Sequence, residues 1–93
     1  MSDMVLIQFR VTVPDVERFK GAFEKWRKTF EEDGARSQQL YVAEAQPNEI
    51  TMLAEWDSHD AMMESSDRRG DDFQADAGTE GLEWETRIWH RLA

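Results

Sequence analysis

The chain has no cysteine, which removes disulfide staples, thiolate metal sites and a cysteine nucleophile together. Basic residues are scarce: 11 Lys and Arg stand against 20 Asp and Glu, for a formal charge of −9. They are also dispersed, with Arg68-Arg69 a pair rather than a patch. That balance opposes binding to nucleic acid or to an anionic membrane surface. Solubility is the ordinary reading of such acidity; a positively charged partner or a salt-rich cytoplasm is the other. Long apolar runs are missing too. The opening MSDMVLIQFR has no basic n-region, and Gln8 and Arg10 break its short apolar stretch. It reads as a strand, not a signal peptide, and nothing approaches the ~20 apolar residues of a membrane span. A cytoplasmic location is the default expectation.

Aromatic residues are plentiful. Four Trp and five Phe in 93 residues argue for a packed core, and the length argues for one domain over 1–93. A monomer this small leaves much apolar surface uncovered, so self-association is a natural supplement.

Residues 4–13 alternate: Val5, Ile7, Phe9, Val11 and Val13 form one face, with Leu6, Gln8, Arg10 and Thr12 on the other. Pro14-Asp15 ends this strand, and Asp15 can cap a helix with Val16, Phe19, Phe23, Trp26 and Phe30 on one stripe. Glu31, Glu32 and Asp33 oppose the dipole at its end, and Gly34 supplies the stop. Residues 36–46 and 49–56 predict two strands joined through Pro47-Asn48 as an antiparallel hairpin. A second helix starts near Ser58. Residues 66–81 carry three glycines and four aspartates and predict a loop, with a short helical piece over 72–77 that buries Phe73. Residues 83–92 alternate again, with Trp84, Thr86, Ile88, His90 and Leu92 against Glu83, Glu85, Arg87, Trp89 and Arg91.

The order β-α-β-β-α-β predicts an α+β, ferredoxin-like fold: a four-stranded antiparallel sheet with both helices on one face. The other face carries Gln8, Arg10, Glu85, Arg87 and Trp89, neither a clean core nor a clean solvated surface. An identical chain is the simplest cover for it, which predicts a homodimer.

The stretch LAEWDSHDAM places Glu55, Asp57, His59 and Asp60 within six positions. A metal site would need Glu55, Asp57 and His59 to stay extended, because only then do alternate residues share a face. A helix capped by Ser58 removes that option and explains the acids by its dipole. No metal site is expected. His90 lies on the strand face turned toward the helices, where it could act as general base toward a phenol or enol, though a half-buried His hydrogen-bonded to a neighbour fits the position as well. Arg10, Arg87 and Tyr41 could orient a ligand, yet an ion pair with Glu85 already accounts for the arginines. No serine sits in a nucleophile-elbow context, and no glycine loop fits phosphate.

The element order, the passage EWDSHDAMMES and the aromatic in DDFQADAG together resemble the dimeric α+β barrel superfamily, in particular its antibiotic-biosynthesis-monooxygenase-like branch. The resemblance spans nearly the whole chain; Glu55, Trp56, Ser58 and Ala61 fit its pattern at the end of the third strand and the start of the next helix. It implies two sheets paired into a barrel across a dimer, a pocket between sheet and helices, and no cofactor. The lining it implies is Phe9, Trp26, Trp56, Met62, Met63, Phe73 and Trp84, each also explicable as core. Haem-degrading relatives need an Asn, a Trp and a His where this chain has Phe9, a residue near Glu64, and Asp76 or Ala77, so that activity is not expected. The His of quinol monooxygenase-like relatives falls on Ser65, and the only Asn, Asn48, lies in the hairpin turn. The resemblance thus implies a small-molecule-binding protein, an oxygenase on a small aromatic or quinol-like compound if active, with His90 or His59 moving the proton. A non-catalytic ligand-binding or interaction dimer is the alternative, and an isomerase or lyase on a small cyclic acid a third reading.

Overall fold

A computed structural model describes residues 4–93. The elements are β1 (Val5–Thr12), α1 (Val16–Glu32), β2 (Ala35–Val42), β3 (Glu49–Trp56), α2 (His59–Ala77) and β4 (Glu85–His90). The four strands form one sheet in the order β2-β3-β1-β4, and every pairing is antiparallel. β1 is central, flanked by β3 from the middle of the chain and β4 from its end. The expected α+β, ferredoxin-like order is the one observed.

Register explains which residues meet the helices. Residues directly opposed on antiparallel strands share a face. Val5 pairs with Trp56 and His90, Ile7 with Ala54 and Ile88, and Phe9 with Met52 and Thr86, so these residues share the helix side, although all of β4 stays exposed and His90 is not the half-buried residue expected. Val5, Ile7, Val11 and Val13 are buried, as their alternation requires. The α1 stripe closes on them: Phe19 and Phe23 are among the most deeply buried side chains, and Val16, Trp26 and Phe30 pack around them. Burying a side chain of that size contributes roughly 1.5–3 kcal/mol. Asp15 caps α1 by accepting from the Arg18 backbone N–H at 3.0 Å.

Three sequence expectations need correction. Residues 66–71 do not form a loop: the helical piece expected over 72–77 is the end of α2, which runs unbroken from His59 to Ala77 through Gly70, and only 78–81 lie beyond it. Its cap is the expected one, with Ser58 Oγ accepting from the Ala61 N–H at 3.0 Å. Tertiary contacts carry the helix past its glycine. Phe73 and Ala77 are buried against α1, and Arg18 of α1 donates to the terminal carbonyls of Ala75 and Asp76 at 2.8 and 3.0 Å. Gly78 then ends it at φ +74°, a conformation that glycine adopts without strain. Second, β2 is shorter than residues 36–46 and is irregular. Ser37 has φ +52°, and the register shifts between Arg36 and Gln39. The extra residue is a β-bulge, which puts Ala35 and Gln38 on the same side although their numbers differ in parity. Third, β4 is confined to Glu85–His90, inside the expected 83–92.

The outer face carries Leu6, Gln8, Arg10, Tyr41, Glu85, Arg87 and Trp89. Arg10 bridges Glu49 at 3.1 Å and also pairs with Glu85, while Arg87 reaches Glu85 at 3.2 Å. The Trp89 indole N–H donates to Gln8 Oε1 at 3.3 Å. Among the described residues no helix is long and apolar enough to cross a membrane.

Candidate functional site

Between the sheet and the two helices lies a cavity of about 220 Å³. Its floor comes from the helix side of the sheet: Phe9 of β1, Met52, Ala54 and Trp56 of β3, and Thr86 of β4. Phe30 of α1, Trp84 and Gln38 close three sides. The roof is α2, which contributes Ser65, Ser66, Gly70, Asp71, Phe73 and Gln74. The cavity exists because this half of α2 presents small and polar groups to the sheet, where the first half presents Met62.

The aromatic lining is preorganised by its own contacts. Phe9 and Trp84 meet edge to face at 6.1 Å and 88°, and Phe30 packs on Phe73 at 5.4 Å and on Trp56 at 6.3 Å. Such pairs each contribute about 0.5–1.5 kcal/mol beyond area burial. Behind them Trp26 stacks on Phe30 at 5.9 Å and 28°. Its indole N–H donates to Asp76 Oδ2 at 2.7 Å, which fixes the ring in the wall. Two buried groups, the Trp84 indole N–H and the Thr79 hydroxyl, have no hydrogen-bond partner among the described residues.

Charged contacts brace the roof from outside. Asp33, at the end of α1, accepts from the Ser65 hydroxyl at 2.8 Å and from Arg69 at 3.1 and 3.3 Å, with Arg68 at 3.5 Å. Its side chain is only 7% exposed. The Arg69 hydrogen bond holds the carboxyl below its ordinary range, and Ser65 helps; burial acts the other way. Asp76 is likewise depressed, first by its hydrogen bond from Lys25 and then by that from Trp26. The acids that opposed the dipole of α1 by position thus include one that finds its counter-charges on α2.

The sequence-derived candidates divide in two. Phe9, Trp56, Phe73 and Trp84 all line the cavity. Trp26 stands one layer behind, and Met62, 4% exposed, packs into the core with Val5, Ile7 and Trp56. Met63 is exposed. His59 and His90 come together, but elsewhere: with Ser58, Asp60 and Arg91 they line an open depression of about 370 Å³ at the start of α2. The pairing of His90 with Val5, at the far end of β1 from Phe9's partners, puts it there. The two lining sets share no residue. Gln38, Ser66, Gly70, Asp71, Gln74 and Thr86 were not signalled as lining. A bulge moves the first, the loop expected over 66–81 hides the next four, and strand alternation gives Thr86 its face without marking it as lining. Among the described residues, no group of three or more potential ligands is arranged to hold a metal ion.

The profile of the antibiotic biosynthesis monooxygenase family matches residues 4–75. No curated protein sequence matches the chain. Solved structures do. SnoaB, a cofactor-independent oxygenase from Streptomyces nogalater, is 22% identical with a TM-score of 0.77, over 99% of this chain and 96% of its own. A candidate antibiotic biosynthesis monooxygenase from Bordetella bronchiseptica is 14% identical with a TM-score of 0.82, over 98% and 99%. Rv0793 from Mycobacterium tuberculosis is 18% identical with a TM-score of 0.69, over 97% and 96%. At these identities the structural likeness is one of fold, whereas the profile covers most of the sequence. The chain belongs to the antibiotic biosynthesis monooxygenase family.

Proposed function

We propose that this protein binds a small planar phenol or quinol in the aromatic cavity and oxygenates it with dioxygen, without a cofactor. The observation that carries this reading is the cavity itself: an apolar, aromatic slot with a few polar groups at its roof, in a chain of this family. A volume of about 220 Å³ lies below the ~300–1,000 Å³ of drug-sized sites and above the ~150 Å³ that accepts benzene. That size suits one or two fused rings.

Oxygenation of a phenol needs the phenolate, which gives up electrons to dioxygen more readily than the neutral form. Asp71 is the one ionisable side chain on the lining, and we assign it the phenolic proton. One oxygen atom forms the new carbonyl at the ring carbon opposite the hydroxyl. The other leaves as water with the ring hydrogen and the phenolic hydrogen, so phenol plus dioxygen gives quinone plus water. Gln38 and Gln74 supply amide groups to orient the ring oxygens. His59 and His90 take no part in this scheme, since they line a different depression.

The outer sheet face supports a second element of the proposal, a homodimer that pairs two sheets. Leu6, Tyr41 and Trp89 are 38%, 53% and 48% exposed there, interspersed with the Arg10, Arg87 and Glu85 ion pairs. A face so mixed buries readily against its own copy, where charge pairs and apolar groups match by symmetry.

The test is direct. The protein is titrated with 1-naphthol by calorimetry, then incubated with it in air while oxygen uptake and quinone absorbance are followed. Binding with uptake above the protein-free rate supports the proposal. Binding without uptake leaves a ligand-binding protein, a reading favoured by the absence of either histidine from the cavity. No binding removes both.

A further inference from the structure

Gly70 stands in the interior of a 19-residue helix, where glycine is less favourable than alanine. Its backbone does not demand glycine: positive φ among the glycines occurs at Gly34, Gly78 and Gly81, not here. Packing does not demand it either, because a Cβ built at position 70 meets nothing within 4 Å. Residues three and four positions away on a helix share its face, and Ser66, Phe73 and Gln74, at those spacings from Gly70, all line the cavity, as Gly70 itself does. A side chain at position 70 would therefore extend into the space under the roof.

We infer that Gly70 sets the length of the ring system that the cavity admits, its absent side chain being the space that the second ring of a fused bicyclic phenol occupies. This rests on the proposed function and adds to it the residue that selects between one-ring and two-ring ligands. With glycine the roof between Ser66 and Phe73 is bare backbone, with nothing within 4 Å of where a Cβ would stand. Any larger residue takes space from the α2 side of the cavity and leaves the Phe9–Trp84 contact, made by other elements, in place.

The experiment compares phenol with 2-naphthol as probes, titrated calorimetrically into the protein and into Gly70→Ala and Gly70→Leu. Gly70→Leu is expected to weaken 2-naphthol by about 10-fold or more and phenol by less than about 3-fold. Gly70→Ala should move both probes in the same order by less, while raising the melting temperature by about 3–6 °C. Stability and bicyclic affinity thus shift in opposite directions, which a merely structural glycine would not produce. If Gly70→Leu melts non-cooperatively, Gly70→Ala and Gly70→Ser carry the comparison. Unchanged naphthol affinity in folded variants, or equal loss of both probes, overturns the inference and leaves the proposed function standing. Failure of the parent protein to bind either probe removes both together.

Discussion

The Ser65 hydroxyl, in the roof of the cavity, donates to the Asp33 carboxylate at the end of α1 at 2.8 Å. Roof and brace are therefore one hydrogen-bonded unit, since the same carboxylate takes the Arg69 fork. Asp33→Ala removes the acceptor and leaves these donors unmatched. We expect a loss of about 1.5–3 kcal/mol, because hydrogen bonds to a charged, largely buried group are the stronger kind. Ser65→Ala should cost about 1 kcal/mol, as Asp33 keeps its arginines. Urea unfolding of the two variants measures both; equal values would contradict the assignment of Asp33 as the hub.

The same carboxylate gives the stability a pH dependence of definite sign. Asp33, Asp76 and Glu85 all have depressed folded-state values, caused first by Arg69, Lys25 and Arg10 respectively. A depressed carboxyl binds fewer protons folded than unfolded, so stability rises with pH across that window. The contribution is complete above the unfolded carboxylate range of about 4 and is lost as pH falls through the folded values. Urea midpoints from pH 6 down to pH 2 should fall, and fall less steeply in Asp33→Asn. A slope unchanged by that substitution would refute the role given to Asp33.

Gly78 should behave opposite to Gly70. It holds φ +74°, and a Cβ there would come within 3.1 Å of the Arg18 side chain, which caps the last carbonyls of α2. Gly78→Ala is expected to destabilise by about 1–2 kcal/mol, from left-handed strain alone at the low end. Combining it with Arg18→Ala should cost less than the sum of the single changes, since both disturb one contact. Strict additivity in a double-mutant cycle would rule out the shared contact.

A charge on the outer face tests the proposed dimer. Trp89→Glu puts an acid next to Arg87 and Gln8 on a face proposed to meet its own copy. Light scattering should report twice the 10.9 kDa chain mass for the parent and a shift toward the single mass for the variant. A parent already at the single mass would sink the dimer.

Where a face meets dense core, the sequence displayed the fold openly. Val5, Ile7, Val11 and Val13 alternate because one side is sealed by helices, and Phe19, Phe23 and Phe30 recur because they seal it. The second half of α2 was illegible for the converse reason. The residues it turns to the sheet, Ser65, Ser66, Gly70 and Gln74, border a space rather than a core, so no apolar period marks them. Its glycine and aspartates then resemble a loop by composition. The bulge at Ser37 hid Gln38 in the same way, by shifting the phase of β2 halfway along. Phe9, Trp56, Phe73 and Trp84 were legible as lining because aromatic residues on a sheet or helix face announce themselves wherever they point. Asp71 and Gly70 were not, since each acquires its meaning only from the neighbours that a continuous helix gives it.

The central position of β1 has a consequence for how the chain is made. β1 pairs along one edge with β4, Arg10 opposite Glu85 and Val5 opposite His90. Those partners leave the ribosome roughly 4–16 s after β1 at about 5–20 residues per second. Until then a strand of alternating Val, Ile and Phe has one row of backbone donors and acceptors unsatisfied. A nascent chain halted before residue 85 would hold β1, both helices and the hairpin, yet offer an unpaired backbone edge to any neighbour on the same message. The order of synthesis thus leaves the middle of the sheet as its most vulnerable part.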